Sequence, residues 1–133
     1  MTKQELYTVR DLRKKIRDAE NFLELLRCRV ANLTPQLDGL PHAQSLESRI
    51  EKVMLMILEA DREIEAYRQQ LLMEVATLTN KISHFVPDTQ ERAVLLLRYV
   101  SCLRFEEIMK TLHMSDGTVF RLHRKGLAKL KVS

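Results

Sequence analysis

Two apolar stripes at helical spacing, interrupted once, limit most strongly what this chain can become. From Val9 the apolar positions step by three and four through Leu12, Ile16, Ala19, Leu23, Leu26, Val30 and Leu33. A second stripe runs through Leu46, Ile50, Val53, Ile57, Ala60, Ile64, Tyr67 and Leu71, then drifts to Val75, Leu78, Ile82 and Phe85. Such spacing puts one oily seam on each of two long helices. Branched residues at the first seam position and mostly Leu at the second favour two strands. The spacing leaves open whether the second strand is another chain or this chain returning. Val9, Leu12, Ile16, Leu23, Leu26 and Val30 are thus the candidate oligomerisation residues, and a homodimer is expected.

Local signals set the ends of these helices. Thr2 and Glu5 have the spacing of a capping box at the start of the first. The stretch Thr34 to Gln44, with Pro35, Gly39 and Pro41, ends it in a turn where Leu37 and Leu40 tuck against the helix ends. Ser45 is the expected cap of the second helix, with a start at Pro41 as the alternative, and Pro87 breaks it. At 1.5 Å per residue the first helix spans about 45 Å and the second about 60 Å. In an antiparallel hairpin the last turns of the second, Leu78 to Phe85, are therefore free to receive the C-terminal part of the chain. Met54, Met56, Met73, Tyr67 and Tyr99 are expected to fill cores and flanks.

Beyond Pro87 the pattern shortens. Ala93, Leu96, Leu97 and Val100 predict an amphipathic helix, with Asp88 and Glu91 as its capping pair. Phe105, Ile108, Met109 and Leu112 predict a second helix of about two turns. His113 and Met114 lead to Ser115, a good N-cap, and Val119, Leu122, Leu127 and Leu130 give a third helix its buried side. Two short helices across a tight turn, the second one basic, are the sequence form of a helix-turn-helix. The run resembles region four, the C-terminal region, of bacterial sigma factors, and also the response-regulator type of helix-turn-helix. The residues carrying the resemblance are Leu96-Leu97-Arg98-Tyr99, Phe105-Glu106-Glu107-Ile108, Ser115 with Thr118-Val119, and Leu122 through Lys125-Gly126-Leu127 to Lys129-Leu130. A long helical N-terminal part before such an end also resembles small phage-encoded proteins regarded as transcriptional regulators.

The resemblance implies a DNA-binding role and contact with RNA polymerase. In a helix-turn-helix the second helix enters the major groove and its first turns meet base edges. The candidate DNA-binding residues are Ser115, Asp116, Gly117, Thr118, Arg121, Arg124, Lys125 and Lys129. Arg121 is the candidate for a bidentate guanine contact, and Thr118 for a thymine methyl or a phosphate. Gly117 lets backbone approach DNA closely. Ser115, Arg124, Lys125 and Lys129 suit phosphates, which supply affinity rather than sequence information. Three departures from the resembled pattern carry expectations. Arg104 stands in place of Ser or Thr, so Glu107 is expected to lack its capping partner. Asp116 either accepts from cytosine or caps the helix beside Ser115. Gly126 lies inside the third helix, where Ala is expected to be more stable.

Charge obeys the same division. Net charge is +3 over residues 1–33, −3 over 34–86 and +4 over 87–133, and Arg121 to Lys131 holds five basic residues and no acid. An acidic middle between two basic ends suits a polyanion-binding head on a solvated stalk, and equally suits Lys and Arg that simply cover helix surfaces. Cys28 and Cys102 have no metal-binding neighbours, so a reducing cytoplasm is the expected setting. No apolar run suits a membrane span. No glycine-rich phosphate loop occurs, His42, His84, His113 and His123 lack ligand spacing, and Glu106 and Glu107, adjacent on a helix, point apart. No enzyme activity, cofactor, metal or small-molecule substrate is expected. The sequence thus predicts an all-α protein: a helical hairpin or coiled-coil stalk over 1–86, then a three-helix helix-turn-helix head over 87–133. Its function is regulation of transcription by reading duplex DNA. The competing expectation is a coiled-coil adaptor or inhibitor whose head engages a protein partner such as host transcription machinery.

Overall fold

The structure, a computed structural model, describes residues 1–34 and 43–132. The expected turn at Pro35, Gly39 and Pro41, with Leu37, Leu40 and His42, lies outside the described residues. Among the described residues five α-helices occur, in the order α1 (Lys3–Leu33), α2 (Ala43–Phe85), α3 (Thr89–Leu95), α4 (Phe105–Leu112) and α5 (Asp116–Leu130). There is no strand among the described residues. The Thr2 and Glu5 side chains satisfy each other's backbone N–H groups at 3.2 and 3.1 Å, so α1 begins with a complete capping box. Helix α2 starts at Ala43, which places Ser45 in its first turn rather than at its cap. It ends where Pro87 removes the next donor, after Val86 N–H reaches the Ile82 carbonyl at 2.9 Å.

The chain forms two compact units, residues 14–69 and residues 1–13 with 70–133. In the first, Leu23 of α1 packs on Ala60 and Ile64 of α2, flanked by Ala19 and Ile57. Arg68–Glu20 (2.9 Å) and Arg27–Asp61 (3.7 Å) pair across the helices in reversed order, so the strands of this seam run antiparallel. These exposed pairs set register more than stability, each contributing well under about 1 kcal/mol. In the second unit Leu6 and Val9 of α1 share a core with Leu78, Ile82 and Val86 of the α2 end and with Leu95, Tyr99 and Leu130 beyond it. The end of α2 does receive the C-terminal helices, as its length implied. Phe85, expected in that stripe, is exposed, and Val86 is buried in its place.

The seam proposed for oligomerisation is therefore largely spent inside one chain. Val9, Leu12, Leu23 and Leu26 are buried, while Ile16 and Val30 are half-buried. Val9 meets the α2 end and Leu23 meets the α2 middle. Of the core or flank positions expected for Met54, Met56 and Met73, none is in a core; all three are exposed on α2.

Helix α3 carries two apolar faces, which corrects the single stripe expected for it. Leu95 and Tyr99 face the core with α1 and α2, whereas Val94 faces a second core with Ile108, Val119 and Leu122. The expected stripe residues Ala93, Leu96, Leu97 and Val100 are only half-buried. A helix packed on both sides has no single stripe to read. After Leu95 the helix widens into a π-helical turn over Leu96–Val100, with Ser101 N–H bonded to the Leu96 carbonyl at 3.0 Å. Cys102 then takes a left-handed conformation at φ 58°. Two arginines bond carbonyls here: Arg13 of α1 reaches Val100 O at the end of the turn, and Arg98 reaches Leu103 O beyond it, both at 3.0 Å.

Gly126 is where α5 comes closest to α3. A Cβ built there falls 2.6 Å from Leu95 Cδ1 and 3.0 Å from its Cγ. Leu95 is fully buried, so it has little room to yield. The expectation that Ala is more stable at 126 is thereby overturned. Overpacking costs about 1–3 kcal/mol, which exceeds the helix-propensity gain of up to about 1 kcal/mol. Gly126→Ala is expected to lower unfolding free energy by about 1 kcal/mol in denaturant titration; an unchanged or raised midpoint would refute the contact.

Candidate nucleic-acid interface

Helix α4 starts at Arg104, whose backbone is extended (φ −73°, ψ 156°). A guanidinium is donor-only and accepts nothing from the helix N–H groups, so half of a capping box is absent. The other half is made. Glu107 accepts the Arg104 backbone N–H at 3.3 Å and its side-chain Nε at 3.1 Å. Glu107 has thus kept a partner, contrary to expectation. The Arg104 side chain is the leading cause holding its carboxyl below the usual range. At the far end His113 turns the chain in a left-handed conformation (φ 54°, ψ 45°), and Met114 N–H closes on the Met109 carbonyl at 3.1 Å.

Ser115 then caps α5. Its Oγ accepts from Thr118 N–H at 3.4 Å and lies 2.9 Å from Thr118 Oγ1. Asp116 folds onto the same terminus, accepting from Gly117 N–H at 2.7 Å, where a carboxylate complements the helix dipole. Of the two roles expected for Asp116, the capping one is made. Around α5, Val119, Leu122, Gly126 and Leu130 face inward. Gly117, Arg121, Arg124 and Lys125 are exposed, with Phe120 beside them at 42%. At 3.6 residues per turn Gly117, Arg121 and Arg124 lie within a band about 60° wide. No heavy atom lies within 4 Å of a Cβ built on Gly117, so the helix start presents bare backbone. Arg121 and Arg124 have no ion pair among the described residues; Lys125 acts at a distance on Asp88.

Lys129 behaves differently from the other candidates. Its ammonium is bonded to the carboxylate of Glu91, a buried residue of α3. Glu91 was expected to cap its own helix. Asp88 does that alone, accepting from Gln90 and Glu91 N–H at 3.0 Å each. The Glu91 amide is the first cause of Asp88's lowered pKa, with Lys129 and Lys125 adding to it. Glu91 instead ties α3 to the last turn of α5, so Lys129 has a structural partner that the spacing of charges did not reveal.

Sequence reading also missed a chain of aromatic contacts behind the exposed face. Tyr99 Oη lies 2.7 Å from His123 Nε2, with the two rings stacked at 5.7 Å. Phe105 meets His123 edge-on at 5.1 Å and Phe120 at 4.9 Å, and the Arg98 guanidinium sits 4.4 Å over the Phe105 ring. Burial pushes the Tyr99 phenol up to about 12. Burial first, then Arg98, holds the His123 pKa below its usual value. The only hint in the sequence is Phe120 with His123 three residues on, one helical turn apart.

Short helices joined by a tight left-handed turn, the second bearing an exposed basic face, make this a helix-turn-helix domain of the DNA-binding class. Residues 88–132 match the family described as Sigma-70, region 4, so the C-terminal part of the chain is a sigma region-4-like domain. Neither the curated proteins nor the solved structures contain a match to the chain. No helix among the described residues is long and apolar enough to cross a membrane.

The two polar pairs built on buried Glu91 and Tyr99 have measurable consequences in solution. Lys129→Ala is expected to destabilise the domain by about 1–2 kcal/mol, because a buried carboxylate loses its donor; an unchanged melting temperature would return Lys129 to the surface. A neutral His123 suits its phenol partner in either tautomer, whereas an imidazolium can only donate. Between the lowered folded pKa and the unfolded value near 6.5 the unfolded chain binds more protons. Stability is therefore complete above about pH 6.5 and falls as pH drops through the folded pKa. Asp88 and Glu107, also lowered, act only in the carboxylate range below about pH 4.5. Melting curves from pH 8 to 5 are expected to show this loss in the native chain and not in His123→Gln.

Proposed function

We propose that this protein is a transcriptional regulator that binds duplex DNA by laying α5 in the major groove, a regulator of the small phage-encoded kind. The observation carrying this reading is the exposed α5 face, where Arg121 and Arg124 have no ion pair among the described residues and stand beside bare backbone at Gly117. Arg121 is the base reader, suited to a bidentate contact with guanine. Ser115, Arg124 and Lys125 hold phosphates, and Thr118 contributes through its methyl group because its hydroxyl lies beside Ser115. Lys129 adds to the local potential while keeping Glu91 satisfied.

A specific observation also supports a protein partner. Phe22, Leu25, Met54, Leu55 and Leu58 are exposed within residues 14–69. Exposed apolar side chains mark an association surface where they lie together in one patch. In this reading they join two copies, since the α1 seam is occupied within one chain, and the head contacts RNA polymerase. The adaptor reading assigns the same residues to a foreign partner.

Selection from random duplex DNA, followed by binding titrations, tests the proposal. Arg121→Ala is expected to lose about 1–3 kcal/mol on the selected site and little on unrelated duplex. With three or four phosphates neutralised per head, the log–log salt slope is about −3 to −4. Equal loss on all sequences defeats base reading, and a salt-insensitive interaction favours the adaptor. Light scattering is expected to report a dimer; a concentration-independent monomer removes that part.

A further inference from the structure

Phe120 is the one large apolar side chain exposed on α5, and it has no part in the contacts assigned to its polar neighbours. It stands among groups suited to a polyanion: Arg121 is next to it in the chain, Arg124 lies one turn on, and Gly117 lies one turn back. At 42% exposure the ring still presents apolar surface on this basic face, and covering that surface with an apolar group of a ligand is favourable. Its position is held from behind. The Phe105 ring packs on it at 4.9 Å, and Phe105 is itself fixed by His123 at 5.1 Å and by Arg98 at 4.4 Å over its face. The ring is thus anchored on its inner side and open on its outer side.

A polar major groove offers one apolar feature to such a ring, the C5 methyl of a pyrimidine. We infer that Phe120 reads a pyrimidine C5 methyl group in the groove, beside the base contacted by Arg121. The inference rests on the proposed duplex-reading function and adds the chemistry of one recognised position. Thymine carries this methyl in ordinary DNA and 5-methylcytosine carries it in modified DNA. Anchoring by Phe105 matters because a ring already ordered loses little side-chain freedom on binding.

The test uses the full chain and the duplex it selects from random DNA. Each thymine within the selected site is replaced in turn by deoxyuridine, which removes the methyl and nothing else, and each cytosine by 5-methylcytosine. Native protein is expected to lose about fourfold in affinity at one deoxyuridine position, or to gain about fourfold at one 5-methylcytosine position. The first outcome assigns the contact to thymine and the second to methylated cytosine. Phe120→Ser is expected to abolish that dependence, and Phe120→Leu to keep most of it. If Phe120→Ser does not fold, Thr118→Ser decides: a methyl dependence that survives it supports Phe120, and one lost with the Thr118 methyl overturns the inference. A methyl dependence that persists unchanged in Phe120→Ser overturns the inference, as does a native protein indifferent to every substitution. Failure to select any sequence overturns the duplex-reading function itself, whereas a selected sequence without methyl dependence overturns the Phe120 role alone.

Discussion

The approach of α5 to α3 at Gly126 and Leu95 is the contact on which the rest of the domain depends. Leu95 is fully buried, and its side chain occupies the space that any residue larger than glycine at 126 would need. That close approach brings Lys129 to Glu91, one turn from Gly126. It also directs Val119 and Leu122 into one core and Leu130 into the other. With the inner side of α5 settled in this way, helical geometry leaves Arg121, Arg124 and Lys125 outside. The face presented to a ligand is a consequence of how the opposite face packs.

The polar groups inside this domain are matched, and their partners are distant in sequence. Glu91 meets Lys129, Tyr99 meets His123, and Arg13 closes the carbonyl at Val100. Buried polar atoms without a partner cost about 1–3 kcal/mol each, and no buried side-chain nitrogen or oxygen among the described residues lacks one. The widened turn at Leu96–Val100 belongs to the same pattern. It departs from regular helix geometry; Arg13 of α1 takes up the carbonyl at its end, and its own Arg98 takes up the Leu103 carbonyl just beyond. The first turns of α1 therefore contribute to the unit that holds the helix-turn-helix, with Leu6 and Val9 in its core.

Much of this fold is legible from residue spacing. Helical seams, the Thr2–Glu5 box, the stop at Pro87, the Asp88 and Ser115 caps and the inward face of α5 are local features, set by neighbours within one turn or by side-chain period. The site residues divide along the same line. Arg121, Arg124, Lys125 and Gly117 lie on the exposed side that periodicity assigns them. Lys129 and Glu91 do not obey the local reading, because their pairing spans 38 positions and no pattern of charges announces it. The aromatic contacts from Tyr99 to Phe120 were hidden for the same reason, as was the double packing of α3.

Sequence alone determined that the chain is helical, where most of its described helices begin and end, and that a basic helix-turn-helix closes it. These come from propensity, capping and period, which act over a few residues. Only the tertiary structure decided that the α1 seam is used within the chain, that Gly126 is required by Leu95, and that one expected DNA-contacting lysine is held by a buried carboxylate. Each of those depends on which surfaces meet, and that is set by packing in three dimensions between residues far apart along the chain.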